Sequence, residues 1–165
     1  MAFGTFQSVT PEDQCIRKPK HLSDTDLVNP AEADCLEQGE WVVPSAAVDR
    51  EYERYGNTRD AGPVVAYPAA APRGSTDQQA LGRVEVYVKW EEAVITSYDP
   101  APPAPYAVGS PLKVSEETID GIDRSVLTLA DGNQENVQAV VVMPPDVPAD
   151  FTPMRIQRAW YVTNV

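Results

Sequence analysis

Cysteine, histidine and phenylalanine are scarce in this chain, with two, one and three in 165 residues, and each shortage excludes something. Two cysteines do not make the dense disulfide framework of a small secreted domain. Cys15 and Cys35 are therefore taken as reduced thiols, with a single disulfide closing the loop between them as the alternative. A serine or cysteine nucleophile that needs an imidazole base has only His21 to draw on, and His21 lies in a polar stretch beside Lys18 and Lys20 that gives a base no fixed position. Cys15, His21 and Cys35 do not match the compact Cys-x2-4-Cys or His-x3-5-His spacings of structural zinc, and no fourth ligand accompanies them.

Basic charge is short as well. Thirteen Lys and Arg face 25 Asp and Glu, a net charge of −12, and such a surface repels phosphate backbones and anionic membranes. Direct nucleic-acid binding and membrane binding are not expected. No apolar run approaches the length of a membrane helix. The opening "MAFGTFQSVTPEDQC" carries neither a basic leader nor a continuous apolar stretch, so no secretory signal is read there and a soluble protein made in the cytoplasm is expected. The phosphate-cradling patterns GxGxxG and GxxxxGK are absent, and no cofactor is expected.

Carboxylates are plentiful, so their clustering carries little weight. Glu91-Glu92 and Glu116-Glu117 are the pairs from which a glycosidase-like acid and base would have to come. "DTD" at residues 24 to 26 lacks the remaining ligand positions and the glycine of a calcium loop. All are read as solvated surface. No catalytic, cofactor-binding or metal-binding residue is assigned, and the chain is not read as an enzyme.

Proline is abundant: sixteen, with seven tyrosines and three tryptophans, point to short strands joined by stiff loops instead of helices packed on long apolar stripes. A chain this long buries roughly two thirds of the surface its unfolded form exposes, enough for one domain without staples. Residues 1–35 are polar, proline-punctuated and aperiodic, and read as an extended N-terminal arm. Within them Asn29-Pro30 resembles a helix N-cap followed by proline at the first helical position, with "AEADCLEQG" supplying two turns before Gly39.

From Glu40 the texture is alternation. "EWVVP" starts a strand, and "AAVDREYERYGN" is either a strand or a brief helical turn. "GRVEVYVKW" places Val84, Val86, Val88 and Trp90 on one face and Arg83, Glu85, Tyr87 and Lys89 on the other. A change of phase at Glu91-Glu92 marks a turn or bulge before "AVITSY". "LKVSEE", "RSVLTLADG", "ENVQAVVVMPP" and "PMRIQRAWYV" follow, bounded by Asp120-Gly121, Asp131-Gly132 and Pro144-Pro145. Between strands lie "AGPVVAYPAAAPRGSTDQQALG" and "DPAPPAPYAVGSP", semi-rigid connections in which Gly109 and Pro111 kink a β segment. Trp41, Trp90 and Trp160 are read as core, with a carbohydrate-stacking platform as the competing role. Tyr87, Tyr98, Tyr106 and Tyr161 suit a protein interface. The fold class is all-β, a small barrel or sandwich over residues 36–165.

The order of these segments resembles a known group. "LEQGEWVVPS", "GRVEVYVKWEEAVITSY", "YAVGSPLKV", "RSVLTLADG", "VQAVVVMPP" and "MRIQRAWYV" are similar to the small capsid decoration, or cement, proteins of tailed bacteriophages. There a Y-x-V-G-x-P-L-x-V strand precedes a turn, a VxAVV-type strand and a closing strand. The similarity spans about residues 36–165; the proline loop "DPAPPAPY" and the N-terminal arm depart from the pattern. The resemblance implies a non-enzymatic virion protein on the capsid exterior. Its partner would be the major capsid protein, which it stabilises, often as a trimer near local symmetry axes. A tail or head-completion subunit and a carbohydrate-binding β module are the alternatives.

Overall fold

The alternation in "RVEVYVK" produces the expected strand, and that strand separates two cores. In the computed structural model, which describes residues 3–11, 14–29, 31–56, 62–66, 82–131 and 137–159, β6 is Arg83–Lys89. Because successive side chains of a strand face opposite ways, Val84 and Val86 enter one cluster with Leu22, Leu27, Leu36 and Val42. Tyr87 faces the other way and packs on a larger cluster that holds Phe6, Trp41, Trp90, Ile95 and Tyr98. The expected turn follows, with Glu91 exposed between the strands.

The other strands are β1 (Phe6–Ser8), β2 (Ile16–His21), β3 (Val42–Pro44), β4 (Tyr52–Arg54), β5 (Val64–Val65), β7 (Glu92–Ile95), β8 (Pro111–Ile119), β9 (Ile122–Leu129), β10 (Val137–Met143) and β11 (Met154–Arg158). Among the described residues strands make up 47% and helix 6%, with no helix of seven residues or more, so the fold is all-β as expected. A six-stranded sheet runs in the order β1-β7-β11-β10-β8-β9, beside a three-stranded β2-β6-β5 sheet and a two-stranded β3-β4 sheet. Every strand pair within these sheets is antiparallel. Of the two architectures expected, the closed barrel is not formed.

Sequence signals place the turns well. Asp120 and Gly121 connect β8 to β9 with φ of 53° and 79°, the positive pair that matches a two-residue hairpin to the twist of its strands. Gly109, at φ 85°, donates its N–H to the Val141 carbonyl at 2.8 Å, and β8 begins two residues later at Pro111, where a missing N–H is tolerated. "EYERY", left between strand and helical turn, is strand β4.

The N-terminal segment differs from expectation. The described part of residues 1–35 is not an extended arm: β1 pairs with β7, β2 pairs with β6, and Phe6 is buried in the larger core. The Thr10 hydroxyl accepts hydrogen bonds from the N–H groups of both Glu91 and Glu92, at 2.9 and 3.0 Å, and so fixes the β6–β7 turn. The segment reads as an arm because β2, "IRKPKH", is an edge strand: charged side chains and a proline keep an edge from pairing further, and they also conceal the strand period.

The helix expected from Pro30 to Gln38 is likewise not formed among its described residues, which make a turn over Ala31–Asp34 and then run irregularly through Glu37. Asp24 instead caps a short 3-10 turn over Thr25–Val28. The carbonyls of Ala33, Asp34 and Cys35 accept bonds from Arg124 and Arg54, a use that a helix's own hydrogen bonding would compete with.

Candidate functional site

Two features stand out against the sheets: a charged cluster buried inside and an apolar rim left outside. The inner cluster centres on Glu40, which is fully buried. Its Oε2 accepts from Arg124 at 2.9 Å and from the Glu37 N–H at 2.7 Å. Its Oε1 accepts from the Ser125 N–H at 3.2 Å and lies 3.0 Å from Arg54 Nε, a charge contact without hydrogen-bond alignment. Ser125, on β9, also binds Trp41 three times: its Oγ and its carbonyl accept from the Trp41 N–H at 3.0 and 3.2 Å, and its Oγ donates to the Trp41 carbonyl at 2.8 Å. These contacts join the outer edge of the six-stranded sheet to the β3-β4 side of the molecule. A buried charge is tolerated only when it is paired and hydrogen-bonded, and the cluster meets that condition for Glu40 and Arg124.

The rim is built from "DPAPPAPY" and the turn that follows β10. Pro100, Pro102, Pro103, Pro105, Val147 and Pro148, with two alanines, line an open cleft of about 450 Å³ that has no polar side chain among its described lining residues. Val108, at 73% exposed, lies two residues after "DPAPPAPY", and Met143, at 51%, ends β10 just before the turn. Prolines fix φ, and buried polar anchors hold the loop from beneath. The Asp99 carboxylate accepts from the Ala101 N–H at 2.8 Å and from the Thr128 hydroxyl at 2.9 Å, while the Tyr106 hydroxyl donates to the Asp99 carbonyl at 2.9 Å. On the other side the Thr152 hydroxyl accepts from the Val147 N–H at 2.9 Å. Tyr98 donates to the Thr152 carbonyl at 2.6 Å, which ties the two sides together. Burial raises the pKa of Tyr98 to about 12. Burial, and then the nearby Asp99 carboxylate, push Tyr106 upward too.

The residues weighed for chemistry are dispersed. His21 ends β2, where its Nε2 accepts from Arg83 Nε at 2.9 Å. Cys15 and Cys35 are both free thiols. Cys15 Sγ sits 3.2 Å from Ser8 Oγ, and Cys35 is buried, which raises its thiol pKa. Among the described residues no group of three His, Cys, Asp or Glu side chains is placed to hold a metal ion. Glu92 pairs with Arg155 on the neighbouring strand, and Glu117 accepts from Ser115. Their strands, β7 and β8, are separated by β11 and β10, three spacings of about 4.8 Å, wider than the 5–9.5 Å of a glycosidase carboxylate pair. Asp24 Oδ1 is occupied as a cap, accepting from the Asp26 N–H.

Trp41 and Trp90 are core residues, 2% exposed each, while Trp160 and Tyr161 lie outside the described residues. Tyr98 and Tyr106, read as interface tyrosines, are buried supports under the rim. The sequence reading did not single out Glu40, Arg54 and Arg124. The one local signal is at Glu40, a charge directly ahead of the apolar "WVV"; its partners are 14 and 84 residues further along the chain.

No protein-family model, no curated protein and no solved structure matches this chain.

Proposed function

We propose that this protein is a non-enzymatic structural component of a phage particle that binds the outer surface of the capsid shell as a decoration, or cement, protein. The observation that carries the reading is the proline rim: a rigid, apolar, exposed surface on an otherwise acidic chain. Contiguous apolar surface left in water marks interaction sites, and a loop already fixed by prolines and buried anchors loses little entropy on docking. The resemblance in segment order from residue 36 onward supports the same role. The partner is the major capsid protein. Many copies on a lattice turn modest contacts into firm attachment, and trimeric self-association near local symmetry axes would multiply them further. The net charge of −12 suits complementarity with a basic shell exterior and keeps unbound copies soluble.

The test is co-sedimentation of the purified protein with expanded, decoration-free heads, with bound copies counted on a quantitative gel. Saturation at a fixed multiple of the capsid subunits, hundreds per particle, is the expected result. A few dozen copies or fewer would indicate a neck or tail component, and no binding by the folded protein would reject the proposal.

A further inference from the structure

The cations of this acidic chain are unevenly answered. Arg50, Arg54, Lys113, Arg124 and Arg155 each stand in an ion pair with a carboxylate. Lys18 and Lys20 on β2 and Arg83 and Lys89 on β6 do not: none of them has a carboxylate partner among the described residues, in a chain with 25 Asp and Glu to draw on. Lys18 is exposed, and the others are partly so. Lys20 Nζ lies 4.8 Å from the centre of the Tyr52 ring, which steadies the ammonium without neutralising it. Arg83 donates to the exposed His21 at 2.9 Å, and an imidazole brings no negative charge. The carboxylate carried by these two strands, Glu85, is held by Arg17 at 3.7 Å. Protection of a sheet edge accounts for lysines on β2. It does not account for Arg83 and Lys89, because β6 lies between β2 and β5 and has no edge to protect.

We infer that β2 and β6 form a cationic strip that docks an acidic, extended segment of a partner protein. The register supplies the spacing. His21 is opposite Arg83, Lys20 opposite Val84 and Lys18 opposite Val86, so Lys18 and Lys20 share one face at a separation of about 7 Å, and Arg83 and Lys89 are about 20 Å apart along β6. Carboxylates on alternate residues of an extended segment repeat at the same interval of about 7 Å. The contact is made by side chains and not by an added strand, because Pro19 has no N–H to offer at the edge. The strip suits carboxylates better than nucleic acid. Arg83, whose planar fork would match a phosphate, has its Nε committed to His21, and a long phosphate backbone would run off the strip onto the acidic remainder of the chain. The strip shares no residue with the proline rim and does not depend on what the rim binds.

The test follows the amide resonances of the full-length ¹⁵N-labelled protein at low salt during separate titrations with hexaglutamate, hexaglutamine and a thymidylate hexamer. Hexaglutamate is expected to shift the β2 and β6 resonances saturably, to lose affinity as salt is raised, and to bind at least about tenfold tighter than either control. Lys18→Glu is expected to weaken hexaglutamate about fivefold or more, whereas Lys113→Glu, the same change of net charge outside the strip, is expected to alter it by about twofold or less. Both variants should keep the native thermal transition, as surface substitutions do. No saturable shift on β2 and β6 with hexaglutamate would overturn the inference. Equal weakening by the two variants would make the binding a response to overall charge, and equal binding of the thymidylate hexamer would make the strip a general polyanion contact; either result overturns it as well.

Discussion

The buried seam around Glu40 and the exposed rim around Pro103 invert the usual distribution of polarity, and the contrast separates what holds this molecule together from what it offers to others. Inside, Glu40 and Arg124 are buried with Arg54 half-buried beside them, and all three have hydrogen-bond partners. Outside, prolines, Val147 and Met143 face water, although the loop beneath them is pinned by Asp99, Tyr98 and Tyr106. A satisfied polar group in the interior specifies which strands meet; an apolar group ordered at the surface serves something beyond the fold. Changes at the seam should therefore act on stability, and changes at the rim on binding.

The largest effect expected on the seam side comes from removing residues 2–21. Loss of Phe6, β1 and β2 takes a core side chain and strands from two sheets, so the truncated chain should lose its cooperative thermal transition by circular dichroism. A truncated chain that melts as sharply as the native one would break the comparison by making the segment a dispensable arm. Next is Glu40→Gln, which leaves the buried Arg124 and the half-buried Arg54 without their counter-charge. Urea unfolding should show a loss of about 3–5 kcal/mol, and a loss below about 1 kcal/mol would mean the seam is not a buried ionic cluster in solution. Thr10→Val removes the single acceptor shared by the Glu91 and Glu92 N–H groups at the β6–β7 turn and should cost about 1–3 kcal/mol.

Alkaline pH sharpens the contrast under the rim. Tyr98 titrates near 12 in the folded chain against about 10 when unfolded, so above pH 10 the unfolded state binds fewer protons and folding loses free energy as pH rises. The contribution is complete below about pH 10 and disappears progressively up to about 12. Chemical denaturation at intervals across that window should show the decline, with a smaller slope in Tyr98→Phe. Smallest of all in stability is Val147→Asp, an exposed change expected to stay within about 0.5 kcal/mol of the native protein.

How much of this was legible in the sequence depended on how local each signal was. Alternation in "RVEVYVK" and the Asp120-Gly121 turn act over a few residues, and both appear where expected. The proline loop announced itself by composition. The N-terminal strands did not: β1 is three residues long and β2 is an all-polar-looking edge, so neither displays a period, and their partners β7 and β6 lie more than 60 residues away. The helix expected after Asn29 failed for a related reason, because its carbonyls are claimed by Arg54 and Arg124 from distant strands.

The central claim, that the proline rim is the surface that docks on a capsid, is tested most directly by co-sedimenting native protein and Val147→Asp side by side with expanded, decoration-free heads. Both proteins should show the same thermal transition. The native protein should saturate the heads, while the variant, which places a charge in the apolar cleft, should bind at least about tenfold more weakly, roughly 1.4 kcal/mol. Equal occupancy by the two would contradict the account and move the docking surface elsewhere on the molecule.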